Sequence, residues 1–514
     1  MKYIIATLLL ICSFQAFTQT AYFKVNGTGI IDKIEKVSSG GFITAGFDSN
    51  YKHQYIRWDA NYNALWKVKV TDSMLNPFSN FVIEANDGNF YATSSSNYNG
   101  GSLYVTKISS TGTILWQKLY KAPTNGERLF APCISKGISG DNGFLFGTGD
   151  CTLSNCIVKC DANGTIEWQK QYYYPLAAGV ITCWSILPDG NNYVVASGYN
   201  AKSILTFKID ATGNYTTYTA NTYTSAPQII PTKLVKLNAN NGYGLLGQYN
   251  NTNNNKTQFV AFYNNALGMT SFNELTVGYT QFTLSDIAAI NNGQDVIVNG
   301  NMYDNSKFYC AMLKLSNTGT IGWKHLSEGN TPGNKNVQFN GITALGNSTI
   351  HVGNGSNEGA IMAIIDSNGN GLCNTLPFNV TNVPKTLTVE SSALTSFNSN
   401  VTSMTASYQN TNIVPLNKLV YCGSIPNAVD DQSVFENNIS MYPNPANDYL
   451  EISYKGHSTQ LLQVTIYTAD GRLIHKQSGN YNVQIDTRNY KPGCYIIQMA
   501  NGQQQLSKKL MIMH

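Results

Sequence analysis

Asp161-Ala162-Asn163-Gly164-Thr165-Ile166-Glu167-Trp168 is the clearest copy of a pattern that recurs along most of the chain. A tight turn that ends in glycine is followed, four residues later, by an aromatic residue on a β-prone stretch. Seven copies begin at residues 59, 109, 161, 210, 265, 316 and 366, which are 49 to 55 residues apart. Their landmarks are Asp59 and Trp66, Gly112 and Trp116, Asp161, Gly164 and Trp168, Asp210 and Gly213, Gly268 and Phe272, Gly319 and Trp323, and Asp366 and Gly369.

A second turn precedes each copy, as Asp87-Gly88 does in the second one. The two turns divide each period into four short strands, which is the content of one propeller blade. The repeat therefore predicts an all-β fold in which residues 19–380 form a seven-bladed β-propeller of four-stranded blades. Because a four-stranded sheet cannot cover both of its own faces, we expect the recurring Trp residues to pack between neighbouring blades. A sugar-stacking platform is the alternative role for these tryptophans.

Residues 381–424 contain β-prone pieces but lack the repeated turn. We expect an extra β segment that edges the propeller, followed by a polar linker at 425–438. The segment can pair with the last blade, or Tyr22-Phe23-Lys24-Val25 near the N-terminus can close the ring, and the sequence leaves both open. Residues 439–514 alternate short strands and turns, which predicts a small C-terminal β-sandwich.

The composition fits an extracellular all-β protein. The 514 residues include 62 Asn, 44 Gly and 32 Tyr, which favour tight turns and strands. Charged residues make up only 12% of the chain and the net charge is +4, which excludes a strongly basic nucleic-acid binder. The hydrophobic fraction of 42% is high enough for packed cores.

Residues 1–18 have the pattern of a secretory signal peptide. Lys2 supplies a positive charge, and a short apolar run follows it that is too short to cross a bilayer. No other stretch reaches about 18 apolar residues, so we expect no transmembrane helix.

The C-terminal region carries four motifs in order: Tyr442-Pro443-Asn444-Pro445, Asp470-Gly471, Pro492-Gly493 with Tyr495, and Lys508-Lys509. Together they resemble the type IX secretion C-terminal sorting domain, the Por secretion tail, over about 75 residues. Cys494 departs from that pattern, since a hydrophobic residue is more usual there. The resemblance implies export across the outer membrane with the type IX machinery and its sortase as partners. Removal of the tail usually accompanies this export, and the protein is then released or attached to the cell surface.

The repeat itself resembles three groups of propellers. Quinoprotein dehydrogenases share the Asp-x-x-Gly turn and the Trp, but they have eight blades and often an adjacent cysteine pair, which this chain lacks. Sialidases clamp a carboxylate with three arginines, whereas the propeller region here contains only Arg57 and Arg128. Uncharacterised secreted propellers that carry the same sorting tail are the best match.

Metal and cysteine patterns are sparse. Asp366, Asn368 and Asn370 resemble the front half of a calcium loop, but Pro377 stands where its last ligand would be. We expect a structural turn and no cofactor, with calcium as the alternative. Cys151–Cys156 and Cys373–Cys422 are the candidate disulfides, and buried core positions are the other expectation for Cys151, Cys156 and Cys160. Zinc held by Cys151, Cys156 and Cys160 is the alternative for that cluster.

These observations favour a binding or adhesion protein for extracellular polysaccharide or protein, secreted or attached to the outer cell surface. Loops rich in Asn, Tyr and Thr suit hydrogen bonding and stacking. The balance of residues argues against an enzyme, and no catalytic residue is predicted. The alternative is an extracellular glycan hydrolase or lyase with its site at the propeller axis, which requires converging acids or a metal. A passive adhesin without a small ligand is the third interpretation.

Overall fold

The structure is a computed structural model that describes most of the chain from Thr20 to Met513. The described residues are 20–70, 80–96, 102–121, 130–149, 156–174, 182–198, 202–224, 228–238, 242–250, 256–278, 281–304, 307–328, 337–346, 348–355, 359–390, 393–398, 401–405, 410–412, 416, 418–423, 439–454, 462–479, 482–501 and 504–513. The predicted signal peptide and linker lie outside these ranges. One compact unit ends at Ile425 and a second begins at Pro426.

Strands form nearly all of the first unit. Those of the propeller are β1 (Ala21–Val25), β2 (Ile30–Lys36), β3 (Phe42–Phe47), β4 (His53–Trp58), β5 (Ala64–Val70), β6 (Asn80–Glu84), β7 (Phe90–Ser96), β8 (Ser102–Ile108), β9 (Ile114–Lys121), β10 (Phe130–Lys136), β11 (Phe144–Gly149), β12 (Cys156–Cys160), β13 (Ile166–Tyr173), β14 (Thr182–Asp189), β15 (Asn192–Gly198), β16 (Ser203–Asp210), β17 (Tyr215–Thr222), β18 (Gln228–Lys236), β19 (Tyr243–Asn250), β20 (Lys256–Tyr263), β21 (Met269–Val277), β22 (Gln281–Ile290), β23 (Asp295–Tyr303), β24 (Phe308–Ser316), β25 (Ile321–Ser327), β26 (Val337–Leu345), β27 (Ser348–Gly355) and β28 (Gly359–Ile365). A short 3₁₀ turn, Asn291–Gly293, separates β22 from β23.

Seven antiparallel sheets form the blades, and six of them are built from four consecutive strands, which confirms the predicted seven-bladed propeller. Blades 1 to 6 are β2–β5, β6–β9, β10–β13, β14–β17, β18–β21 and β22–β25. Blade 7 consists of β26, β27 and β28, from the C-terminal end of the propeller sequence, and of β1, from its N-terminal end. β1 runs antiparallel to β28, with Ala21 opposite Ile364 and Val25 opposite Ala360. The ring is thus closed by strand pairing between the two ends of the propeller sequence.

The hydrophobic core is divided among the spaces between blades. Ile43 and Val68 of blade 1, for example, pack in one cluster with Val82 and Phe90 of blade 2. Every residue of the second strand of blade 1, β3, is buried, because neighbouring blades cover both faces of the sheet.

The repeated turn explains why the blades fit together. In blade 3, Asp161 Oδ1 accepts hydrogen bonds from the backbone N–H groups of Asn163 and Thr165, both at 2.8 Å. Gly164 follows with φ of 71°, a conformation that favours glycine. The indole N–H of Trp168 then reaches the next blade and donates to the carbonyl oxygen of Ala211 at 2.8 Å. A local turn signal therefore also serves as an attachment point between blades.

Residues beyond the seventh repeat add a fifth strand to every blade. These strands, called the belt here, are β29 (Thr375–Leu376), β30 (Val380–Lys385), β31 (Thr388–Glu390), β32 (Thr395–Asn398), β33 (Thr402–Thr405), β34 (Asn410–Asn412) and β35 (Lys418–Gly423). They pair with the outer strands of blades 6, 5, 4, 3, 2, 1 and 7, in that order. The blades are therefore five-stranded, four strands coming from the repeat and one from the belt.

The direction of the belt follows from sheet twist. Neighbouring strands rotate by about 20–25°, so the fifth strand of a blade lies roughly perpendicular to the first. The first strands line the axis, and the fifth strands consequently run along the circumference. One chain segment can then pass from blade to blade and cover the outer edges, which would otherwise present unpaired backbone groups.

A disulfide closes the belt. Cys373 precedes β29 and is joined to Cys422 in β35, with a Cα–Cα distance of 6.0 Å and a sequence separation of 49. The covalent loop between the two cysteines contains strands on all seven blades. The sequence left the pairing partner of residues 381–424 open. In the structure the strands within these residues belong to the belt, which is a closed ring around the outer edge of the propeller.

The second unit is a two-sheet β domain, as predicted. Its strands are β36 (Ile439–Tyr442), β37 (Tyr449–Tyr454), β38 (Leu462–Thr468), β39 (Leu473–Gly479), β40 (Asn482–Asp486), β41 (Gly493–Asn501) and β42 (Gln504–Ile512). The sheets have the orders β36-β37-β40 and β39-β38-β41-β42. Leu450, Val464, Ile466, Ile497 and Leu510 are fully buried in the core between them.

Candidate functional site

A cavity of about 430 Å³ is surrounded by the first strands of blades 1 to 6. Six blades can share one cavity only at the propeller axis, so we call it the axial cavity. Its volume falls within the roughly 300–1,000 Å³ of sites that hold small ligands.

Strand register places one residue from each of these blades at the same level of the cavity. In every one of these blades the residue lies opposite the same position of the second strand, as Lys33 lies opposite Ala45 in blade 1. These six residues, the axial level, are Lys33, Phe81, Cys133, Ser185, Lys233 and Asp286. They include two cations, an aromatic ring, a thiol, a hydroxyl and a carboxylate. The fold repeats around the axis, but the chemistry facing the cavity does not.

Lys233 and Asp286 form an ion pair between blades 5 and 6, with 2.7 Å between Nζ and Oδ1. Asp286 is buried, and its Oδ2 accepts the backbone N–H of Ile342 in blade 7 at 3.1 Å. Burial by itself would lower the pKa of Lys233, but the carboxylates of Asp286 and Glu35 raise it above its usual value. This side of the cavity therefore holds a fixed pair of opposite charges.

Glu35, two residues after Lys33 on β2, is the second carboxyl group near this pair. Burial raises its pKa, while the positive charges of Lys233 and Lys136 act in the opposite direction. Its side chain stays partly accessible because it faces the cavity. Within the described part of the chain, no hydrogen bond to its carboxyl group is present. Glu35 is consequently free to accept from or donate to a molecule that enters the cavity.

Two aromatic side chains add apolar surface to the cavity. Phe81 is half-buried, and the Nζ of Lys33 lies 5.4 Å from its ring centroid. Trp184 is the extra residue where the register of β14 shifts between Cys183 and Ser185, and such bulges redirect a side chain. Its indole N–H donates to the carbonyl oxygen of Gly198 at 2.6 Å, which fixes the ring.

The cavity lining as a whole is nearly balanced in charge. Four lysines, at 33, 36, 136 and 233, stand with three carboxyl groups, at 35, 84 and 286. Glu84 accepts the backbone N–H of Ser38 at 2.6 Å and its hydroxyl at 2.8 Å, which links blades 1 and 2. A lining of this kind suits uncharged polar groups, or groups of both charges, better than a strongly charged ligand.

The predicted calcium residues form a turn. Asp366 Oδ1 accepts the backbone N–H groups of Asn368 and Asn370, both at 2.9 Å, and its Oδ2 accepts the side-chain amide of Asn370 at 2.8 Å. Both carboxylate oxygens are therefore already engaged within the turn. The residues that the structure describes contain no group of three His, Cys, Asp or Glu side chains arranged to hold a metal ion.

The predicted tryptophans lie between blades and not at the axis. Trp66, Trp116 and Trp323 donate their indole N–H to carbonyl oxygens in the next repeated turn, those of Ser110, Ala162 and Ser367.

The cysteines named in the sequence analysis lie in different parts of the first unit. Cys373 and Cys422 are joined in the belt disulfide described above. Cys151 lies outside the described residues, and Cys156 is buried at the start of β12.

The sorting motifs come together in the second unit. Asn444 accepts the backbone N–H of Met511 with Oδ1 and donates to the carbonyl oxygen of Lys509 with Nδ2, both at 2.9 Å. It thereby ties the Tyr442-Pro443-Asn444-Pro445 motif to the strand that carries Lys508 and Lys509. Tyr442 is 74% exposed. The other two motifs are turns: Gly471, with φ of 86°, follows Asp470 between β38 and β39, and Pro492 precedes β41, where the Tyr495 hydroxyl donates to Lys491 O at 2.7 Å.

The sequence placed an alternative enzyme site at the propeller axis, but none of the residues that line the axial cavity was predicted as a site residue. The six residues of the axial level stand 48 to 53 positions apart along the chain, from Lys33 to Asp286. In an alignment of the seven repeats, these residues would occupy one position of the first strand. The residue type at that position varies strongly from repeat to repeat, which is the signal that could have identified them. The features that repeat from blade to blade are instead the turns and the Trp residues, and these hold the blades together.

Comparisons with known proteins identify the second unit and leave the first without a functional relative. Residues 440–513 match the family described as the secretion system C-terminal sorting domain. No curated protein matches the sequence. Among the described residues, no helix is long and apolar enough to cross a membrane.

Several solved structures are similar to the chain. Raptor from Chaetomium thermophilum is 12% identical with a TM-score of 0.41, over 70% of this chain and 30% of that one. Sqt1 from Chaetomium thermophilum is 10% identical with a TM-score of 0.42, over 69% and 98%. The NanB sialidase from Streptococcus pneumoniae is 12% identical with a TM-score of 0.36, over 69% and 70%. The chain thus spans less than a third of Raptor, and similarities this low carry no argument about function.

The strand order of the first unit and the family match of the second define the protein. Residues 440–513 belong to the secretion system C-terminal sorting domain family, and the chain is a β-propeller protein exported by type IX secretion to the cell surface or the medium.

Proposed function

We propose that the exported propeller binds the end of an extracellular polysaccharide chain in its axial cavity. The observation that supports this most strongly is the axial level, where six blades present five kinds of side chain around one space. A scaffold that served only as a spacer would not require charges, an aromatic ring and a bulged Trp to converge at its axis.

Sugars present apolar ring faces and several hydroxyl groups. Phe81 and Trp184 supply surfaces on which such faces can stack. Glu35, Lys233 and Asp286 supply acceptors and donors for hydroxyls, and charged partners make these hydrogen bonds stronger. The nearly balanced charge fits a neutral glycan or one that carries both charges.

A whole protein surface is a poorer fit to this site. Stable protein interfaces bury about 800 Å² on each partner. The cavity can admit only a short protruding segment. Protein binding therefore remains the second form of the binding proposal, with a loop or chain end as the inserted element.

Glycan hydrolysis is the rival function, and Glu35 is the observation that favours it. A carboxyl group whose pKa is raised can remain protonated as a general acid, while a second carboxylate remains ionised. Asp286 beside Lys233 is the candidate for the second role. It ranks below binding because Asp286 is already engaged by Lys233 and by the backbone N–H of Ile342.

A screen of the exported protein against extracellular polysaccharides, scoring retention and product release together, tests both functions. Binding predicts retention without release, and Trp184→Ala should weaken retention at least tenfold. Tyr215→Ala is the matched control, because Tyr215 is an exposed aromatic residue on the outer strand of blade 4. Retention that Trp184→Ala leaves unchanged would overturn the axial site. Release that Glu35→Gln abolishes while retention persists would establish the hydrolase instead.

A further inference from the structure

Cys133 and Cys183 are buried thiols on neighbouring blades that lie almost in contact. Cys133 is on β10 of blade 3 and Cys183 on β14 of blade 4, with 3.8 Å between their sulfur atoms. They are 6% and 0% exposed. Cys133 Sγ also lies 3.4 Å from the carbonyl oxygen of Cys183.

The surrounding residues leave room for both sulfurs. Gly147, opposite Cys133 on β11, supplies that room. A Cβ atom at position 147 would come within 2.4 Å of Cys183 Sγ and 2.8 Å of Cys133 Sγ. The glycine and the two cysteines therefore form one packing unit that a larger residue at 147 would break.

We infer that Cys133 and Cys183 are a redox site whose oxidised form is a disulfide between the first strands of blades 3 and 4. The sulfur atoms must move from 3.8 Å to the S–S bond length of about 2.05 Å. Side-chain rotation and a small approach of the two strands can supply this displacement, because both residues adjoin a register shift. This bond is additional to Cys373–Cys422.

The reaction is thiol–disulfide exchange with a protein or small-molecule disulfide as the oxidant. One cysteine attacks the oxidant as a thiolate and forms a mixed disulfide, releasing the first thiol of the oxidant. The other cysteine then attacks the mixed disulfide and releases the second. The pair loses two electrons and two protons, and the oxidant becomes two thiols. Export removes the protein from the reducing cytosol, which permits this chemistry.

Burial decides when the bond can form. It raises the pKa of the Cys183 thiol well above its usual value, and the neighbouring Cys133 acts in the same direction. Since the thiolate is the reactive species, the closed propeller protects the reduced pair from a bulky oxidant. We therefore expect oxidation before blades 3 and 4 close against each other.

Cys156 on β12 is the competing partner. It is near enough for its charge to raise the pKa of Cys183. Cys133 has the direct sulfur–sulfur contact and the space provided by Gly147. The site also adjoins the axial cavity, because Cys133 lines it and Trp184 follows Cys183 in sequence.

Disulfide mapping of the exported protein tests the inference. The protein is purified without reductant, denatured with an alkylating agent, digested and analysed by mass spectrometry. The expected product is a cross-linked peptide containing Cys133 and Cys183, two hydrogens lighter than the separate thiol peptides. Full alkylation of both cysteines, in this sample and after refolding with a glutathione redox couple, would overturn the inference. A cross-link from Cys183 to Cys156 would do the same.

A series of variants distinguishes a Cys133–Cys183 disulfide from two buried thiols that are not bonded to each other. If the disulfide is present, reduction should lower the unfolding midpoint of the wild type more than that of Cys133→Ser, Cys183→Ser or the double variant, because these variants keep only the Cys373–Cys422 bond. Cys160→Ser is the control for a buried cysteine, since Cys160 lies at the other end of β12 from Cys156. It should keep the wild-type response to reduction. Equal responses of the wild type and the Cys133 and Cys183 variants would contradict the inference.

Discussion

Trp66 of blade 1 donates its indole N–H to the carbonyl oxygen of Ser110, in the repeated turn of blade 2, at 2.9 Å. The same turn contains Gly112, and a Cβ atom there would fall 2.8 Å from the Trp66 ring. The turn landmark of one blade and the Trp landmark of the blade before it are therefore a single contact, which recurs where blades 1 and 2, 2 and 3, 3 and 4, and 6 and 7 meet. This contact explains why the sequence repeats the two features together.

Replacing Trp66 should destabilise the propeller. Trp66 is 5% exposed, and Trp66→Ala should lower the free energy of unfolding by about 3–5 kcal/mol, the usual effect of deleting a buried Trp. Trp66→Phe retains part of the packing and leaves the Ser110 carbonyl unpaired, so a smaller loss of about 1–3 kcal/mol is expected. Urea denaturation followed by circular dichroism measures both. Equal effects of the two variants would show that ring packing contributes little.

Gly112→Ala and Gly88→Ala form a matched pair. Both glycines have positive φ, 88° and 77°, so both variants carry backbone strain of about 1–3 kcal/mol. The Cβ at position 112 meets the Trp66 ring, whereas the Cβ at position 88 meets nothing within 4 Å. We expect Gly112→Ala to be the more destabilising in denaturant unfolding. Equal losses would mean that Trp66 moves aside without penalty.

Opening the belt disulfide should lower the stability of the first unit. Removing a cross-link that spans 49 residues raises the entropy of the unfolded chain, which lowers the free energy of unfolding by about 4 kcal/mol. The Cys373→Ser/Cys422→Ser variant should lose stability of this order, and hydrogen exchange should accelerate first in β29–β35. Cys494→Ser is the control, because Cys494 is exposed in the second unit. Uniform acceleration over all seven blades would contradict an independently opening belt.

His351 should make the propeller sensitive to acid. It is fully buried in blade 7 between Asn299, at 3.2 Å, and Thr349, at 2.9 Å. Burial lowers its pKa from 6.5 to about 3. A group whose pKa is depressed by folding stabilises the protein above its unfolded pKa, so this stability should be lost as the pH falls from 6.5 towards 3.

Measuring the free energy of unfolding from pH 7.5 to 4 checks this. The wild type should become less stable towards pH 4, and His351→Gln should show a flatter profile despite lower stability at pH 7. His475→Gln, in the second unit, is the control. A parallel shift of the wild-type and His351→Gln curves would assign the acid sensitivity to other groups.

Asn444→Ala should reduce export. The side chain makes two hydrogen bonds to β42, so its loss detaches the Tyr442–Pro445 motif from the strand that carries Lys508 and Lys509. We expect at least a several-fold fall in the fraction of protein at the surface or in the medium, measured by fractionation and immunoblotting. Gln463→Ala, an exposed position on β38, should leave that fraction unchanged. Normal export of Asn444→Ala would show that the motif is recognised without this anchor.

The sequence by itself determined the blades, their number and the sorting domain. The Asp161–Gly164 turn and Trp168 are local signals, since turn chemistry and strand alternation act over a few residues and repeat at a fixed spacing. The sorting motifs are local in the same sense, so their order along residues 442–509 was enough to assign the domain and the export route.

Only the tertiary structure decided how the ring closes, where residues 375–423 go and what faces the axis. β1 pairs with β28 across more than 300 residues, and each belt strand pairs with a blade far away in sequence. Strand pairing joins backbone groups that every residue possesses, so it leaves no residue-specific mark on either partner. Lys233, Asp286 and Glu35 meet because the sheets converge on one axis, which brings together residues that stand 53 to 251 positions apart in the chain.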